Sequence, residues 1–202
     1  MARLYADPTE SSSRSERGVS RRDLALGAFG LAAAGSAAYG AARLVETSIA
    51  KLSVNPFDGL VVAGMQGLIG RNGWETPGLD MAALKGRPVL VHAFASWCPV
   101  CQSEYEFFRS IASDPRFVLA GLIVMDKAPP AKKFLAERGN PHAVLGFDRD
   151  GKAGRQLRIG GVPHSYLVGR DGALLHTVPG SLSSGYFAER LEPLIDRASR
   201  AA

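Results

Sequence analysis

Short apolar runs alternate with helix-like stretches through the last two thirds of the chain. The run 89–95 follows Gly86 and Pro88, and its length and uniform apolarity predict a strand that is covered on both faces. Further strands are predicted over 116–125, 143–147, 165–169 and 173–178, and helices over 99–113, 130–138, 152–159 and 184–198. Strands separated by helices predict an α/β fold with a central mixed sheet flanked by helices on both faces. The sequence Arg-Asp-Gly at 170–172 predicts a hairpin that closes one edge of this sheet.

The segment before the first long strand has weaker periodicity. Glycines divide 57–74 into short apolar pieces, which favours a short strand or hairpin over a helix. The segment 78–86 predicts one or two helical turns, with Asp80 near their start and Gly86 at their end. We therefore predict that the folded domain covers residues 57–200 and that 43–56 is a spacer.

The N-terminal segment has the composition of a targeting sequence. Residues 1–22 are polar and lack a hydrophobic period, which predicts disorder. The pair Arg21 and Arg22 precedes a segment rich in Gly, Ala and Leu at 23–42, and this arrangement resembles a twin-arginine export signal. Small residues at 36–40 suit a signal peptidase, but about 20 apolar residues are also long enough for an uncleaved membrane anchor. An ordinary buried helix is the remaining alternative.

Composition and charge argue against nucleic-acid binding. The apolar fraction of 46% is that of a chain able to bury a core. The formal net charge is +5, and five of the 24 Lys and Arg residues lie in the first 22 positions. No basic helix and no basic stripe interleaved with aromatic residues is evident in the sequence. We therefore interpret the basic charge as a targeting feature and a solvated surface.

The only two cysteines in the 202 residues are Cys98 and Cys101, directly after the first predicted strand. Pro99 suits the first position of a helix, which places Cys98 at the helix N-cap. Unpaired N–H groups and the helix dipole stabilise a thiolate at such a position. Cys98 is therefore the predicted nucleophile and Cys101, one turn on, the resolving cysteine of a pair that cycles between dithiol and disulfide.

Other uses of a cysteine pair stay open at this point. A structural disulfide is one, and half of a zinc site is another, although zinc needs two more good ligands and no second C-x-x-C exists. A Cu(I)-binding metallochaperone would use the two soft thiolates, assisted by His92 or His164. A non-catalytic binding module is the fourth alternative.

The order of elements, with a C-x-x-C at the start of the first long helix, is that of thioredoxin. In detail the chain resembles the exported thioredoxin-like reductases of the TlpA, ResA and DsbE/CcmG group over about 57–197. Three motifs carry the resemblance: Asp80-Met-Ala-Ala-Leu-Lys-Gly-Arg-Pro-Val-Leu-Val, Phe94-Ala-Ser-Trp-Cys-Pro-Val-Cys101, and Gly161-Val-Pro163 followed by Tyr166-Leu-Val-Gly-Arg-Asp-Gly172. The resemblance implies a thioredoxin-like fold and a protein thiol-disulfide oxidoreductase that needs no cofactor or metal beyond the redox-active Cys98–Cys101 pair.

The resemblance also implies the surroundings of the cysteines. It implies a cis Val162–Pro163 bond in a loop that packs against the sulfurs and presents the Val162 backbone to a substrate peptide as an added strand. Trp97 and His164 would lie at the same substrate surface. A simple edge-strand proline is the alternative interpretation of Pro163.

Three positions near the cysteines have open interpretations. Members of the group carry an acid where this chain has Glu104, which would relay a proton to or from Cys101, although a solvated glutamate on the helix face is equally compatible. His92 replaces the buried acid of thioredoxins and the usual Asn of the group. It either pairs with a thiolate or is neutral and hydrogen-bonded, and we favour the neutral form. His164 replaces the usual Thr or Glu and would tune the thiol or the substrate surface.

The resemblance finally implies a location and a task. The protein would act in the periplasm or elsewhere in the cell envelope, either soluble after cleavage or anchored through 23–42. It would reduce protein disulfides, for example the haem-attachment cysteines of apocytochrome c. A membrane thiol transporter would supply the electrons. The direction depends on the redox potential of the pair, for which about 30 mV corresponds to about 1.4 kcal/mol.

Overall fold

The computed structural model describes residues 55–70 and 73–200. The predicted segments 1–22 and 23–42, with Arg21 and Arg22, and most of the spacer 43–56 lie outside the described residues. Within the described part of the chain, no helix combines the length and the apolarity needed to cross a bilayer.

A five-stranded mixed sheet forms the centre of the domain. Its strands are β3 (Val89–Phe94), β4 (Val118–Ile123), β5 (Val144–Phe147), β6 (His164–Val168) and β7 (Leu174–Pro179). They lie in the order β5-β4-β3-β6-β7, with β3, β4 and β5 parallel and with β6 and β7 antiparallel to their neighbours. The predicted mixed sheet, including its edge hairpin, is confirmed.

Helices cover both faces of the sheet, as predicted. The helices are α1 (Pro99–Ile111), α2 (Ala128–Arg138), α3 (Lys152–Gln156), and a C-terminal helix composed of α4 (Ser184–Tyr186), a π-helical turn (Phe187–Leu191) and α5 (Glu192–Arg200). On one face Leu90 packs with Phe108 of α1 and with the C-terminal helix. On the other face Val91 packs with α3. All six residues of β3 are buried between these two layers.

The segment before β3 differs from its prediction. The predicted turns begin later than expected: β2 (Leu79–Asp80) pairs antiparallel with β1 (Val61–Val62), and hydrogen-bonded turns follow over 81–86. Leu79 and Met81 both belong to the core although they are two residues apart, which is the spacing of a strand and not of a helix. Asp80 Oδ1 accepts the N–H groups of Ala82 and Ala83, so it caps the turns. The short strand predicted within 57–74 is β1.

The C-terminal helix contains a π-helical turn that the sequence analysis did not predict. Pro193 lacks the N–H group that would bond four residues back in an α-helix. The N–H of Glu192 instead bonds to the carbonyl of Phe187, five residues back, and the helix continues. Phe187, Leu191 and Ile195 are buried, as predicted, and Leu194 is partly buried.

One arginine joins the C-terminal helix to the loop before β4. The guanidinium of Arg116 contacts Asp114 at 2.6 Å, Glu192 at 2.8 Å and Asp196 at 2.9 Å. Hydrogen bonds from Arg116 hold the pKa of Asp114 below its ordinary value. This network fixes α5 against the start of β4.

The close approach of β5 to β1 predicts a cost for any side chain at Gly146. A Cβ atom there would lie 2.7 Å from Val62 Cβ and 3.1 Å from Leu79 Cβ, and both neighbouring atoms are fixed to the backbone. We expect Gly146→Ala to lower the free energy of unfolding by about 1–3 kcal/mol. Denaturant unfolding of the two proteins measures the difference.

Gly185→Ala is the matched control, because a Cβ atom there meets nothing within 4 Å and the residue lies in a helix. The control should be neutral or slightly stabilising. Equal stability of Gly146→Ala and the parent protein would contradict the tight packing of β5 on β1.

Candidate active site

The two cysteines occupy the junction predicted for them. Cys98 is the N-cap of α1 with extended backbone (φ −82°, ψ 114°), and Pro99 follows at the first helical position. The backbone N–H of Cys101 donates to Cys98 Sγ at 3.3 Å. This hydrogen bond and the helix N-terminus both favour negative charge on Cys98 Sγ.

The two thiols have different environments. Cys98 is 4% exposed and Cys101 is completely buried. Burial raises the pKa of Cys101, and its contact with Cys98 raises it further. Cys101 therefore keeps its proton at neutral pH, which leaves Cys98 as the thiol that can attack an incoming disulfide.

The Gly-Val-Pro loop lies against Cys98. The Val162–Pro163 bond is cis, as the resemblance implied, and Cys98 Sγ lies 3.6 Å from the carbonyl oxygen of Val162. Pro163 leads into β6, which is hydrogen-bonded to β3 on one side and β7 on the other. The alternative of a simple edge-strand proline is therefore wrong.

The turn between β3 and α1 is held by residues that the sequence analysis missed. The N–H of Ser96 donates to Asp126 Oδ2 at 2.6 Å, and Gln102 Nε2 donates to the Ser96 carbonyl at 2.7 Å. Trp97 Nε1 donates to the carbonyl of Met125 at 2.7 Å. Asp126 follows β4, which is the parallel neighbour of β3. A polar residue after that strand was the sequence feature that could have predicted a contact with the turn after β3.

Exposed apolar side chains lie near Cys98 at the surface. Trp97 is 57% exposed, Val100 46% and Met125 50%. Trp97, which was assigned to substrate binding, thus lies next to Cys98 with most of its ring open to contact.

Glu104 is buried beneath the surface of the domain and not solvated on the face of α1. It is 6% exposed. Its Oε2 accepts two hydrogen bonds at 2.8 Å, one from the Ser181 hydroxyl and one from the N–H of Leu182. The alternative of a solvated glutamate is wrong, because the segment after β7 covers this part of α1.

His92 projects from β3 into the same buried region. Its ring stacks on Phe108 with centroids 3.8 Å apart. Its Nε2 lies 3.3 Å from Glu104 Oε1, although the two atoms are not aligned as a good hydrogen bond, and its Nδ1 lies 3.3 Å from His142 Nε2. Burial lowers the pKa of His92, an effect that Glu104 partly opposes.

His142 and Asn140 complete this group, and the sequence analysis missed both. His142 Nδ1 lies 3.1 Å from Asn140 Oδ1, and burial holds the pKa of His142 well below its ordinary value. Gly121 pairs with His92 across β3 and β4, and a Cβ atom there would meet the His142 ring at 2.7 Å. Gly121, a glycine within an otherwise apolar strand, was the one feature of the sequence that indicated a large side chain packed against β4 at this point.

His164 is half-buried at the start of β6, directly after Pro163. Its ring stacks on Tyr166 with centroids 4.6 Å apart. Burial lowers the pKa of His164. Its position opposite Ala93 of β3 puts it on the strand beside the one that leads to Cys98.

Two thiolates can bind soft cations such as Cu(I). Among residues 55–70 and 73–200, no group of three or more His, Cys, Asp and Glu side chains is arranged to bind a metal ion.

Comparison with known families assigns the domain. A family model described as Redoxin matches residues 78–189, which is more than half of the chain. The chain belongs to the redoxin family. This redoxin domain contains β2 through the start of the C-terminal helix, including both cysteines, Glu104 and Pro163.

Curated relatives of this redoxin share its central region. The chain is 38% identical over 122 residues to the thiol:disulfide interchange protein CycY of Rhizobium leguminosarum bv. viciae. It is 31% identical over 118 residues to the thiol:disulfide interchange protein DsbE of Escherichia coli K12. The matches cover 60% and 58% of this chain and 66% and 63% of these relatives, just under two thirds of their length. The resemblance to the DsbE group is confirmed.

Solved structures confirm the thioredoxin-like fold. A secreted disulfide oxidoreductase of Mycobacterium tuberculosis, homologous to Escherichia coli DsbE, superposes with a TM-score of 0.56 at 17% identity, covering 68% of this chain and 97% of that one. A putative thiol:disulfide interchange protein DsbE from Chlorobium tepidum gives a TM-score of 0.54 at 23% identity and covers 69% and 98%.

Buried His142 predicts a loss of stability in acid. Its folded pKa lies well below 6.5, so between these values the unfolded chain binds a proton that the folded protein does not. The free energy of unfolding therefore falls as the pH falls below 6.5, by up to about 1.4 kcal/mol per pH unit from this residue. Denaturant unfolding between about pH 5 and 7.5 measures the slope.

His142→Phe is the comparison variant, because a phenylalanine ring can keep the stacking on Phe94. In this variant the free energy of unfolding should depend less steeply on pH, by the slope that one fewer proton taken up on unfolding gives. An unchanged slope would contradict an uncharged, buried His142.

Proposed function

We propose that this redoxin is a protein thiol-disulfide oxidoreductase that exchanges disulfides through Cys98 and Cys101. The observation that carries the proposal is the geometry at Cys98, whose Sγ accepts the Cys101 N–H and lies 3.6 Å from the Val162 carbonyl. The first contact favours the thiolate, and the second places a strand-like backbone beside it. The names of the relatives CycY and DsbE, both thiol:disulfide interchange proteins, support the same activity.

The reaction has two exchanges. The Cys98 thiolate attacks a sulfur of a substrate disulfide, the substrate S–S bond breaks, and its second sulfur leaves as a thiolate. Cys101 then loses its proton and attacks Cys98 Sγ, which forms the Cys98–Cys101 disulfide and releases the reduced substrate. The exposed surface of Trp97 and the backbone of Val162 would bind the substrate segment around its cysteine, with His164 beside them.

Glu104 is the proposed proton-transfer group for Cys101. The two residues are three apart on α1 and therefore lie on the same side of the helix. Glu104 also contributes to the raised pKa of Cys101, after burial and the contact with Cys98. A buried thiol with a raised pKa needs a base to become a nucleophile and an acid to become a leaving group.

The direction and setting complete the proposal. We propose that the protein works in the cell envelope as a reductant, for example of the haem-attachment cysteines of apocytochrome c. A membrane thiol transporter would return electrons to its disulfide. The resemblance to CycY and DsbE supports this setting, and the Arg21-Arg22 pair before an apolar segment supports export. The same relatives give no support to a Cu(I) metallochaperone.

Cys98→Ser should abolish catalysis of insulin reduction by dithiothreitol, because serine supplies no thiolate. The rate should return to that of dithiothreitol alone. Cys101→Ser should instead accumulate mixed disulfides with Cys98, since the resolving thiol is missing. Mass spectrometry of the complexes trapped in the native host would name the substrate and test the proposed apocytochrome c.

Ser110→Ala is a suitable control, because this exposed serine lies near the end of α1 and bonds only its own helix. Activity that survives in Cys98→Ser would contradict the proposed nucleophile. Trapped partners confined to metal-transport proteins would contradict the proposed reductase.

Glu104→Gln should slow disulfide exchange at neutral pH by about ten- to a hundredfold, because an amide cannot transfer the Cys101 proton. Glutamine keeps the size of the side chain and an oxygen for the Ser181 and Leu182 donors. Stopped-flow measurement of the exchange rate against pH checks the result. A pH profile identical to that of the parent protein would show that Glu104 transfers no proton.

A further inference from the structure

A continuous row of buried polar side chains crosses the domain beneath α1. It runs from Glu104 to His92, His142 and Asn140, which are 6%, 0%, 1% and 8% exposed. Water does not reach these groups freely, so each polar atom must find its hydrogen-bond partner within the protein. This requirement determines where the protons lie.

The Asn140 end fixes the direction of the row. Its Oδ1 accepts the backbone N–H of His142 at 3.1 Å, and its Nδ2 donates to Thr76 Oγ1 at 3.0 Å. A backbone N–H can only donate, so this orientation of the amide is set. The same Oδ1 faces His142 Nδ1 at 3.1 Å, which requires a proton on that nitrogen.

The proton positions then follow along the row. His142 is uncharged because burial holds its pKa well below the ordinary value, so a proton on Nδ1 leaves a lone pair on Nε2. This lone pair faces His92 Nδ1 at 3.3 Å, which must therefore carry a proton. An uncharged His92 would consequently present a second lone pair, on Nε2, to Glu104.

At the Glu104 end of the row, one hydrogen-bond donor is then missing. Oε2 already accepts from Ser181 and Leu182, and Oε1 lies 3.3 Å from His92 Nε2. Both of these facing atoms are buried and lack a well-aligned hydrogen-bond partner. An ionised carboxylate against a bare imidazole nitrogen would leave two acceptors in contact without a proton between them.

We propose that one proton is shared between Glu104 Oε1 and His92 Nε2, kept there by His142 and Asn140, and that Glu104 exchanges this proton with Cys101. The second clause rests on the proposed function. The row then carries no net charge, because the shared proton balances the carboxylate. His92 and His142 are positioning residues, since they act on the cysteine only through Glu104.

The groups that face this contact come from several elements. Cys98 and Cys101 lie toward the start of α1, and Tyr105 of the same helix has its ring centroid 6.4 Å from that of His142. Burial raises the pKa of Tyr105, so it stays uncharged. The segment after β7 contributes the Ser181 hydroxyl. Cys101, three residues before Glu104 on α1, is the thiol to which the proposal assigns this proton exchange.

Ser181 connects the row to solvent. The residue is exposed, and its hydroxyl donates to Glu104 Oε2 at 2.8 Å. When an external thiolate opens the Cys98–Cys101 disulfide, a new S–S bond forms to Cys98 and the electron pair of the broken bond goes to Cys101 Sγ. Cys101 takes the proton from Glu104, and water replaces that proton through Ser181. The reverse sequence applies when Cys101 attacks.

The proton positions can be observed without any activity assay. Histidine ¹⁵N chemical shifts of the full-length protein distinguish protonated from bare ring nitrogens. We expect protons on Nδ1 of both His92 and His142, a bare Nε2 on His142, and an intermediate shift for His92 Nε2 that becomes bare in Glu104→Gln. A bare His92 Nε2 in the parent protein, or a His142 protonated on Nε2, would overturn the shared proton.

The exchange with Cys101 is tested by the rate at which dithiothreitol opens the Cys98–Cys101 disulfide, corrected for the thiolate fraction of the reagent. In His142→Phe no lone pair faces His92 Nδ1, so His92 can carry its proton on Nε2 and donate it to an ionised Glu104. Glu104 then has no proton to give to Cys101. The rate at neutral pH should fall about tenfold and recover as the pH is lowered. Ser181→Ala should slow opening in the same way, and Ser181→Thr, which keeps the hydroxyl, should restore it.

Ser184→Ala is the matched control for Ser181→Ala, since it removes an exposed hydroxyl three residues further on. Equal pH profiles for the parent protein, His142→Phe and Ser181→Ala would overturn the exchange. Failure of the parent protein to reduce insulin would overturn the proposed function instead. The ¹⁵N shifts would still decide where the proton lies.

Discussion

The complete burial of β3 is the constraint on which the rest of the structure depends. This strand lies at the centre of the sheet with a layer on each face, so its alternate side chains belong to different cores. Its end delivers the chain directly to the N-terminus of α1, where Cys98 begins the helix. The buried strand therefore determines both where Cys98 lies and which groups surround its thiol, because it holds Cys98 Sγ against the Val162 carbonyl.

The same strand carries a polar side chain into an interior that is otherwise apolar. His92 is tolerated there because flat aromatic rings cover its faces and polar atoms face both ring nitrogens. A single buried polar group of this kind requires partners, and those partners require further partners. The row that ends at Asn140 is the result, and the missing side chain of Gly121 provides the space for it.

Local sequence patterns predicted most of the fold and the position of the two cysteines at the start of α1. The apolar run of β3 and the proline after Cys98 act through near neighbours. The Gly-Val-Pro motif contacts Cys98 from 64 residues away, and only the resemblance to a known family placed it there. The prediction for 78–86 was correct for the turns over 81–86, which Asp80 caps, and wrong for Leu79 and Asp80, which form β2. The sequence analysis missed His142 and Asp126 because their partners are 50 and 30 residues away, and no short-range period records such contacts.

The enclosure of Glu104 by Leu182 has a consequence for biosynthesis. Leu182 is completely buried, and the C-terminal helix that follows it is fixed to the start of β4 by Arg116. A nascent chain that has emerged only as far as β7 already contains both cysteines and the proline loop. Glu104 lacks its Ser181 and Leu182 donors at that stage, so the thiols are present before this side chain is enclosed. The buried surroundings of Glu104 therefore form only when residues 181–196 have been added and have folded onto the domain.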